Sequence, residues 1–279
     1  MSSPLMIKPN LQSVSGQVQN ITPASARWRF VGFEVFDLGA GQERFRDGGA
    51  TELCLVLLAG IADVQVAGQS FTGVGGRRTP FEGKPFAVYV PPGMKVQVRA
   101  QTTCEIAIGS APAEGRFPPR LITPDNVHEE VRGSGTNRRT VYNILPETES
   151  AERLLLTEVR TPAGHWSSYP PHKHDTLGET ETQLEETYYH RILPSTGFAF
   201  QRVWTDDRSL DETMAVEDRD VVLVPRGYHP VGAPHGIELY YLNVMAGPVR
   251  RWQFSSAPGY EFLMQSTDAF KGADRSSTN

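Results

Sequence analysis

ELCLVLLAG at residues 52–60 and ETYYHRI at residues 186–192 are the two segments on which the fold is decided. Each is a short run of apolar, aromatic and β-branched residues, of the length and composition of a β-strand. Downstream of each comes a second apolar strand and then a Pro-x-Gly turn, Val90-Pro91-Pro92-Gly93 in one case and Val224-Pro225-Arg226-Gly227 in the other. Glu52 and Pro91 lie 39 residues apart, as do Glu186 and Pro225, so one register relates two halves at an offset of 134 residues.

Working outward, further short runs repeat the pattern: ADVQVAG, FAVYVPPG, KVQVRA and CEIAIG in the first half, RLLLTEVR, GFAFQRVWT, VVLVP and ELYYLNVMAG in the second. Their spacing leaves no room for crossover helices, which predicts an all-β chain of antiparallel sheets closed as sandwiches, barrels or jelly rolls. ESAERLL and AFKGAD are the two stretches expected to form brief helical turns. The proline-rich SAPAEGRFPPRLITPDN separates the halves. The expected organisation is an N-terminal barrel over 1–115, a linker over 116–125, a C-terminal barrel over 126–262 and a polar tail over 263–279.

Composition narrows the function classes. The chain has 279 residues, 39% hydrophobic and 21% charged, as in ordinary globular proteins. Its net charge of −5, with the two signs interspersed, provides no basic stripe for nucleic acid. No run approaches the roughly 20 apolar residues of a membrane span, and the start MSSPLMIKPN lacks the apolar core of a secretory leader, so a cytoplasmic protein is expected. Cys54 and Cys104 sit in strand-like stretches and are expected as buried, reduced thiols.

The chemistry concentrates in the second half. His172 and His174 in PPHKHD are separated by one residue, so on an extended chain both imidazoles leave the same face. In EETYYHRI, alternation places Glu186, Tyr188 and His190 on one face and Glu185, Thr187 and Tyr189 on the other; either glutamate could reach the histidines, and the repeat register favours Glu186. His229 arrives on the turn at Pro225–Gly227. His172, His174, Glu186 and His229 form a ligand set suited to one divalent ion, zinc or manganese first, iron or nickel next. The 134-residue offset carries the three histidines onto Leu38, Ala40 and Lys95. Only the C-terminal copy is therefore expected to hold metal. His128, His165 and His235 are expected in loops without a partner pattern, as solvated side chains.

SSYPPHKHD, GFAFQRVWTDDRSLDE, VVLVPRGYHPV and YYLNVMAGPVRRW together resemble the 5-deoxy-glucuronate isomerase family of myo-inositol catabolism, a group of bicupins. The resemblance spans nearly the whole chain. It implies two jelly-roll barrels, one divalent metal on His172, His174, Glu186 and His229, and conversion of 5-deoxy-D-glucuronate to 5-dehydro-2-deoxy-D-gluconate.

Such an aldose–ketose conversion moves a proton between neighbouring carbons through an enediolate, and so needs a stabiliser of oxygen charge and a base. His190, Tyr188 and Glu185 are the candidates for proton transfer. Arg202 and Arg226 could clamp the substrate carboxylate. Gln201 is adjacent to Arg202 on a strand, and only one of the two can face inward. Tyr241 and Asn243 share a strand face and could bind hydroxyls. The expected partner is thus a small uronate, and a homo-oligomer is compatible with the sequence. Two alternatives use the same residues: a cupin dioxygenase, or a sugar-binding module without turnover.

Overall fold

The computed structural model describes residues 3–263. The expected tail beyond Leu263 and the turn at AFKGAD lie outside the described residues. Two large antiparallel sheets carry the architecture. The six-stranded sheet runs Arg120–Ile122, Phe86–Val90, Thr51–Ala59, Cys104–Pro112, Gly32–Leu38, Gln17–Ile21. The seven-stranded sheet runs Met6–Ile7, Val221–Val224, Glu185–Leu193, Glu238–Ala246, Leu155–Thr161, Arg139–Leu145, His128–Arg132. Their first six positions correspond one to one. Two four-stranded sheets match in the same way: Glu43–Asp47, Lys95–Ala100, Ile61–Val66, Gln69–Gly75 in one, and Trp166–Ser167, Val231–Gly232, Ala199–Trp204, Asp211–Val216 in the other.

The closed barrels expected from the sequence are not present. Each sheet is open, with two edge strands, and among the described residues no last strand pairs back to a first. The protein is all-β, but its sheets are stacked and not wrapped into two jelly-roll barrels. Short antiparallel strands and tight turns belong to sandwiches and barrels alike, and closure depends on pairing between distant edges that no local pattern encodes.

Stacking creates three apolar interiors. Leu53, Leu55, Leu57, Val64, Val96 and Val98 pack between the smaller N-terminal sheet and the six-stranded one. Cys54, Val56, Leu58, Tyr189, Leu242 and Val244 pack between the two large sheets, and Tyr188, Val203, Met214, Val222 and Tyr241 between the seven-stranded sheet and its smaller partner. Thr51–Ala59 is covered on both faces, which is why it reads as a continuous apolar run where an antiparallel strand with one wet face would alternate. The large sheets lie in close contact at Gly109, where an added Cβ would stand 2.8 Å from Val244 Cγ1. Cys54 and Cys104 are buried and unpaired.

Strand register refines the internal repeat. Leu53 pairs with Val90, and Glu186 with Val224. Counted from these equivalent valines, the counterpart of Glu186 is Leu53, one residue from the Glu52 that the turn landmarks indicate. Tyr188 and His190 then correspond to Leu55 and Leu57, and Asn243 and Tyr241 to Ile108 and Ile106. Where the second half has polar groups, the first has branched aliphatics.

Glu52 corresponds instead to Glu185, and the two carboxylates do the same work. Glu52 accepts the backbone N–H groups of Glu152, Arg153 and Leu154 at 2.9, 2.7 and 2.7 Å. Glu185 accepts those of Arg29, Phe30 and Val31 at 2.7, 2.8 and 2.9 Å. Each half thus holds the chain entering a central strand of the other. The halves also exchange edge strands: Met6–Ile7 pairs with Val221–Val222 in the C-terminal sheet, and Arg120–Ile122, within the stretch read as a linker, pairs with Ala87–Tyr89 in the N-terminal one.

Candidate metal centre

His172 lies in the short strand His172–Lys173, held against Ser255–Ser256. His174 receives the Leu184 N–H on its carbonyl at 2.9 Å, and its Nδ1 sits 3.2 Å from Leu184 O. His229 follows the turn at Gly227, with Nδ1 2.8 Å from Gly227 O. In both rings the carbonyl at Nδ1 makes that nitrogen the N–H donor and turns Nε2 toward the cluster, as the nitrogen that would ligate a metal once it carries no proton. The ligating nitrogens of the three histidines lie within 4.8 Å of one another.

Glu186 approaches two of these histidines from the central strand. Its Oε2 is 3.0 Å from His174 Nε2 and 3.2 Å from His229 Nε2. The second approach is close without hydrogen-bond alignment, so His229 Nε2 is buried with no hydrogen-bond partner. An orphaned imidazole nitrogen facing two others and a carboxylate is the arrangement that a divalent cation satisfies. Burial opposes ionisation of Glu186, yet His174 and His229 outweigh it and hold its pKa at about 2. Burial also opposes charge on His174, and the Glu186 carboxylate raises its pKa in spite of that. His172 is pushed well below the usual range by burial and then by the other two imidazoles, so it is neutral and ready to ligate.

Beside the cluster, a small cavity of about 30 Å³ is lined by His172, Glu186, Tyr188, Tyr241 and Asn243, together with Arg132, Arg139 and Trp252. Tyr188 and Ser168 share a hydrogen bond of 2.8 Å, and Tyr241 and Ser167 one of 2.5 Å. Burial raises the pKa of both phenols, so each keeps its proton at neutral pH.

The residues between His174 and Glu186 are tied down by charge. Lys173 Nζ reaches Asp175 Oδ1 at 2.7 Å and Glu181 Oε1 at 3.0 Å. Glu181 Oε1 also accepts the N–H groups of Asp175 and Thr176, at 2.7 and 2.9 Å. Asp175 Oδ2 accepts the Gly227 N–H at 2.8 Å. One network therefore joins the chain bearing His172 and His174 to the turn bearing His229.

The family model of the KduI/IolB family matches residues 5–263. The chain belongs to the KduI/IolB family. Among curated members, the 5-deoxy-glucuronate isomerase of Geobacillus kaustophilus is 49% identical over 275 residues, 98% of this chain and 100% of that protein. That of Bacillus subtilis strain 168 is 43% identical over 268 residues, 94% of this chain and 98% of that protein. The crystal structure of an IolB-like protein from Salmonella typhimurium LT2 superposes with a TM-score of 0.92 at 49% identity, covering 94% of this chain and 100% of that one. Oxalate decarboxylase of Lactobacillus farciminis superposes at 0.64 with 13% identity, covering 100% of this chain and 95% of that one, a likeness of fold alone.

Within this KduI/IolB chain, His172, His174, Glu186, His229, Tyr188, Tyr241 and Asn243 come together around one cluster and its cavity. Glu185 does not join them, because the pleat turns it to the interface between the halves, where three backbone N–H groups occupy it. Arg202 points outward to Asp211 at 2.8 Å and over the Trp204 ring. Its neighbour Gln201 is the inward one, with Oε1 2.9 Å from His190 Nε2. His190 is wholly buried behind Tyr188 and Tyr241, at ring separations of 5.9 and 6.1 Å, and does not line the cavity. Arg226 is exposed, with Nη2 3.3 Å from Ser209 Oγ. Ser168, Arg132 and Arg139 also line the cavity, and Ser167 holds the Tyr241 hydroxyl, although none of the motifs singles them out. The two serines sat within SSYPPHKHD, but nothing in the local sequence marks the arginines. No helix among the described residues is long and apolar enough to cross a membrane.

Proposed function

We infer that this protein is a 5-deoxy-glucuronate isomerase, converting 5-deoxy-D-glucuronate to 5-dehydro-2-deoxy-D-gluconate in myo-inositol catabolism. The observation that carries this reading is the end-to-end identity of 49% with a curated 5-deoxy-glucuronate isomerase, over 98% of the chain. The three-histidine cluster supports it, because the chemistry asks for a cation at the reacting oxygens.

His172, His174, His229 and Glu186 would hold one divalent ion, with zinc and manganese the best matches to three imidazoles and a carboxylate. When bound, such an ion acts as a Lewis acid toward the carbonyl and adjacent hydroxyl oxygens of the sugar. The chain's own residues then bind and orient. Protonated Tyr188 and Tyr241, held by Ser168 and Ser167, offer donors to sugar oxygens along one wall. Asn243, on the same face as Tyr241, adds a further polar group. The closely packed interior behind them keeps water from the reacting carbons. The first half has aliphatic residues at the matching positions and serves as packing surface for the second.

Replacing one of four ligands tests the assignment. His229→Ala should lower metal affinity and turnover together, each by about 100-fold or more, since even groups that only orient ligands are worth roughly 10–100-fold in affinity. A metal titration and a ketose assay on the same sample measure both. Retained metal with full activity would contradict the site.

A further inference from the structure

A site that handles a uronate must hold a carboxylate at the end of the sugar remote from the reacting carbons. A planar guanidinium does this with two parallel N–H···O bonds. Arg202 and Arg226, the candidates from sequence, face away from the cavity. Two other arginines, Arg132 and Arg139, line it together with His172, Glu186 and Tyr188.

These two differ in how much of their hydrogen-bonding capacity is free. Arg132 is committed: Nε and Nη2 donate to the two Glu130 oxygens at 2.8 and 3.0 Å, and its guanidinium lies over the Trp252 ring at 4.9 Å. Arg139 makes no ion pair among the described residues. Both of its hydrogen bonds leave Nη1, to Asn137 O at 3.1 Å and Asn137 Oδ1 at 3.2 Å. Nε and Nη2 have no protein acceptor among the described residues. Burial works against its charge, outweighing the opposing influence of Tyr241, and the like charge of Arg132 acts in the same direction as burial; an anion would relieve both. On the same wall Thr157, 2% exposed, has a buried hydroxyl without a partner. That residue also borders an adjoining cavity of about 290 Å³ beside His128, Asn143 and Trp252. A half-free guanidinium and an orphaned hydroxyl facing one space suit a polyhydroxylated acid and not an apolar ligand.

We propose that Arg139 binds the substrate carboxylate through Nε and Nη2, with the Thr157 hydroxyl meeting a neighbouring sugar oxygen. The proposal rests on the isomerase reading above. It makes Arg139 the residue that selects a uronate over the corresponding neutral aldose.

The test compares wild type, Arg139→Met and Arg139→Lys on 5-deoxy-D-glucuronate and on its analogue with an alcohol in place of the carboxylate. Melting temperature and metal content are recorded for each protein. Arg139→Met should raise KM for the uronate by about 10- to 100-fold, the range expected for charge-assisted hydrogen bonds, with kcat changed only a few-fold and metal content unaltered. The preference for uronate over analogue should collapse by a similar factor. Arg139→Lys, which keeps the charge without the fork, should fall between. An unchanged preference in folded variants, or equal losses on both substrates, would overturn the assignment while leaving the isomerase reading in place. Absence of turnover by metal-loaded wild type would overturn the isomerase reading and this assignment with it.

Discussion

Glu185 and Glu186 are neighbours in sequence and sit on opposite faces of one strand, so one clamps the two halves together while the other meets the imidazoles of His174 and His229. Alternation separates them. His190 shares the inner face with Glu186 but is sealed off, and burial lowers its pKa from 6.5 to about 4, against the weaker opposing effect of Gln201. Its folded pKa is depressed, so the unfolded chain binds the proton more readily. Stability from this group is complete above pH 6.5 and is lost as pH falls toward 4. The loss is on the order of 3 kcal/mol at about 1.4 kcal/mol per unit. Denaturant unfolding at several pH values should show this slope, and His190→Gln should flatten it. An unchanged slope would mean that other groups set the acid limit. At this scale most of the site was legible: the His-x-His pair, the downstream glutamate and the turn-borne histidine are constrained by strand parity and turn geometry. Parity also left one of Gln201 and Arg202 inside without saying which, and Arg139 carries no signal, because its place on the cavity wall depends on packing against residues distant in sequence.

The element that sets the histidine geometry is the pair of chain segments joined by Lys173, Asp175, Glu181 and the Gly227 turn. Gly227 adopts φ +89°, and a Cβ there would stand 2.3 Å from Trp204 O. Both left-handed strain and collision act against any side chain. Gly227→Ala should therefore cost at least about 2 kcal/mol and weaken metal binding with it, because His229 follows two residues later. Thermal melts and a metal titration would measure the two effects, and a variant with native affinity would show that the turn does not position His229. The strands at this level were readable from their Gly and Pro boundaries, and ESAERLL, expected as a helical turn, instead leads into the strand that starts at Leu155. The stretch between His174 and Glu186 was not readable. Its order comes from ion pairs and backbone bonds to Glu181 that follow no periodic pattern.

At the scale of the molecule, four stacked sheets replace the two closed barrels, and the repeat survives as matched strand orders. Duplication was visible in the turn spacing; openness was not, because it depends on which edges remain unpaired after the halves dock. That docking also buries charge. Arg77 donates from Nη1 and Nη2 to the two oxygens of Glu158 at 2.7 and 2.9 Å, and Tyr240 adds its hydroxyl at 2.8 Å. Arg77→Ala would strand the carboxylate and should cost about 3–5 kcal/mol. The double replacement Arg77→Met with Glu158→Leu should recover most of that. Chemical denaturation distinguishes these outcomes, and a mild effect of the single variant would mean that water reaches the pair.

The central claim, that this two-part β protein isomerises a uronate at a metal held only by its second half, is tested most directly by proton NMR. 5-Deoxy-D-glucuronate is incubated in deuterated water with metal-loaded protein, with and without a chelator that strips the ion. Ketose signals should appear in the untreated sample and be absent after chelation. Unchanged substrate in a sample with confirmed bound metal, or equal conversion after its removal, would contradict it.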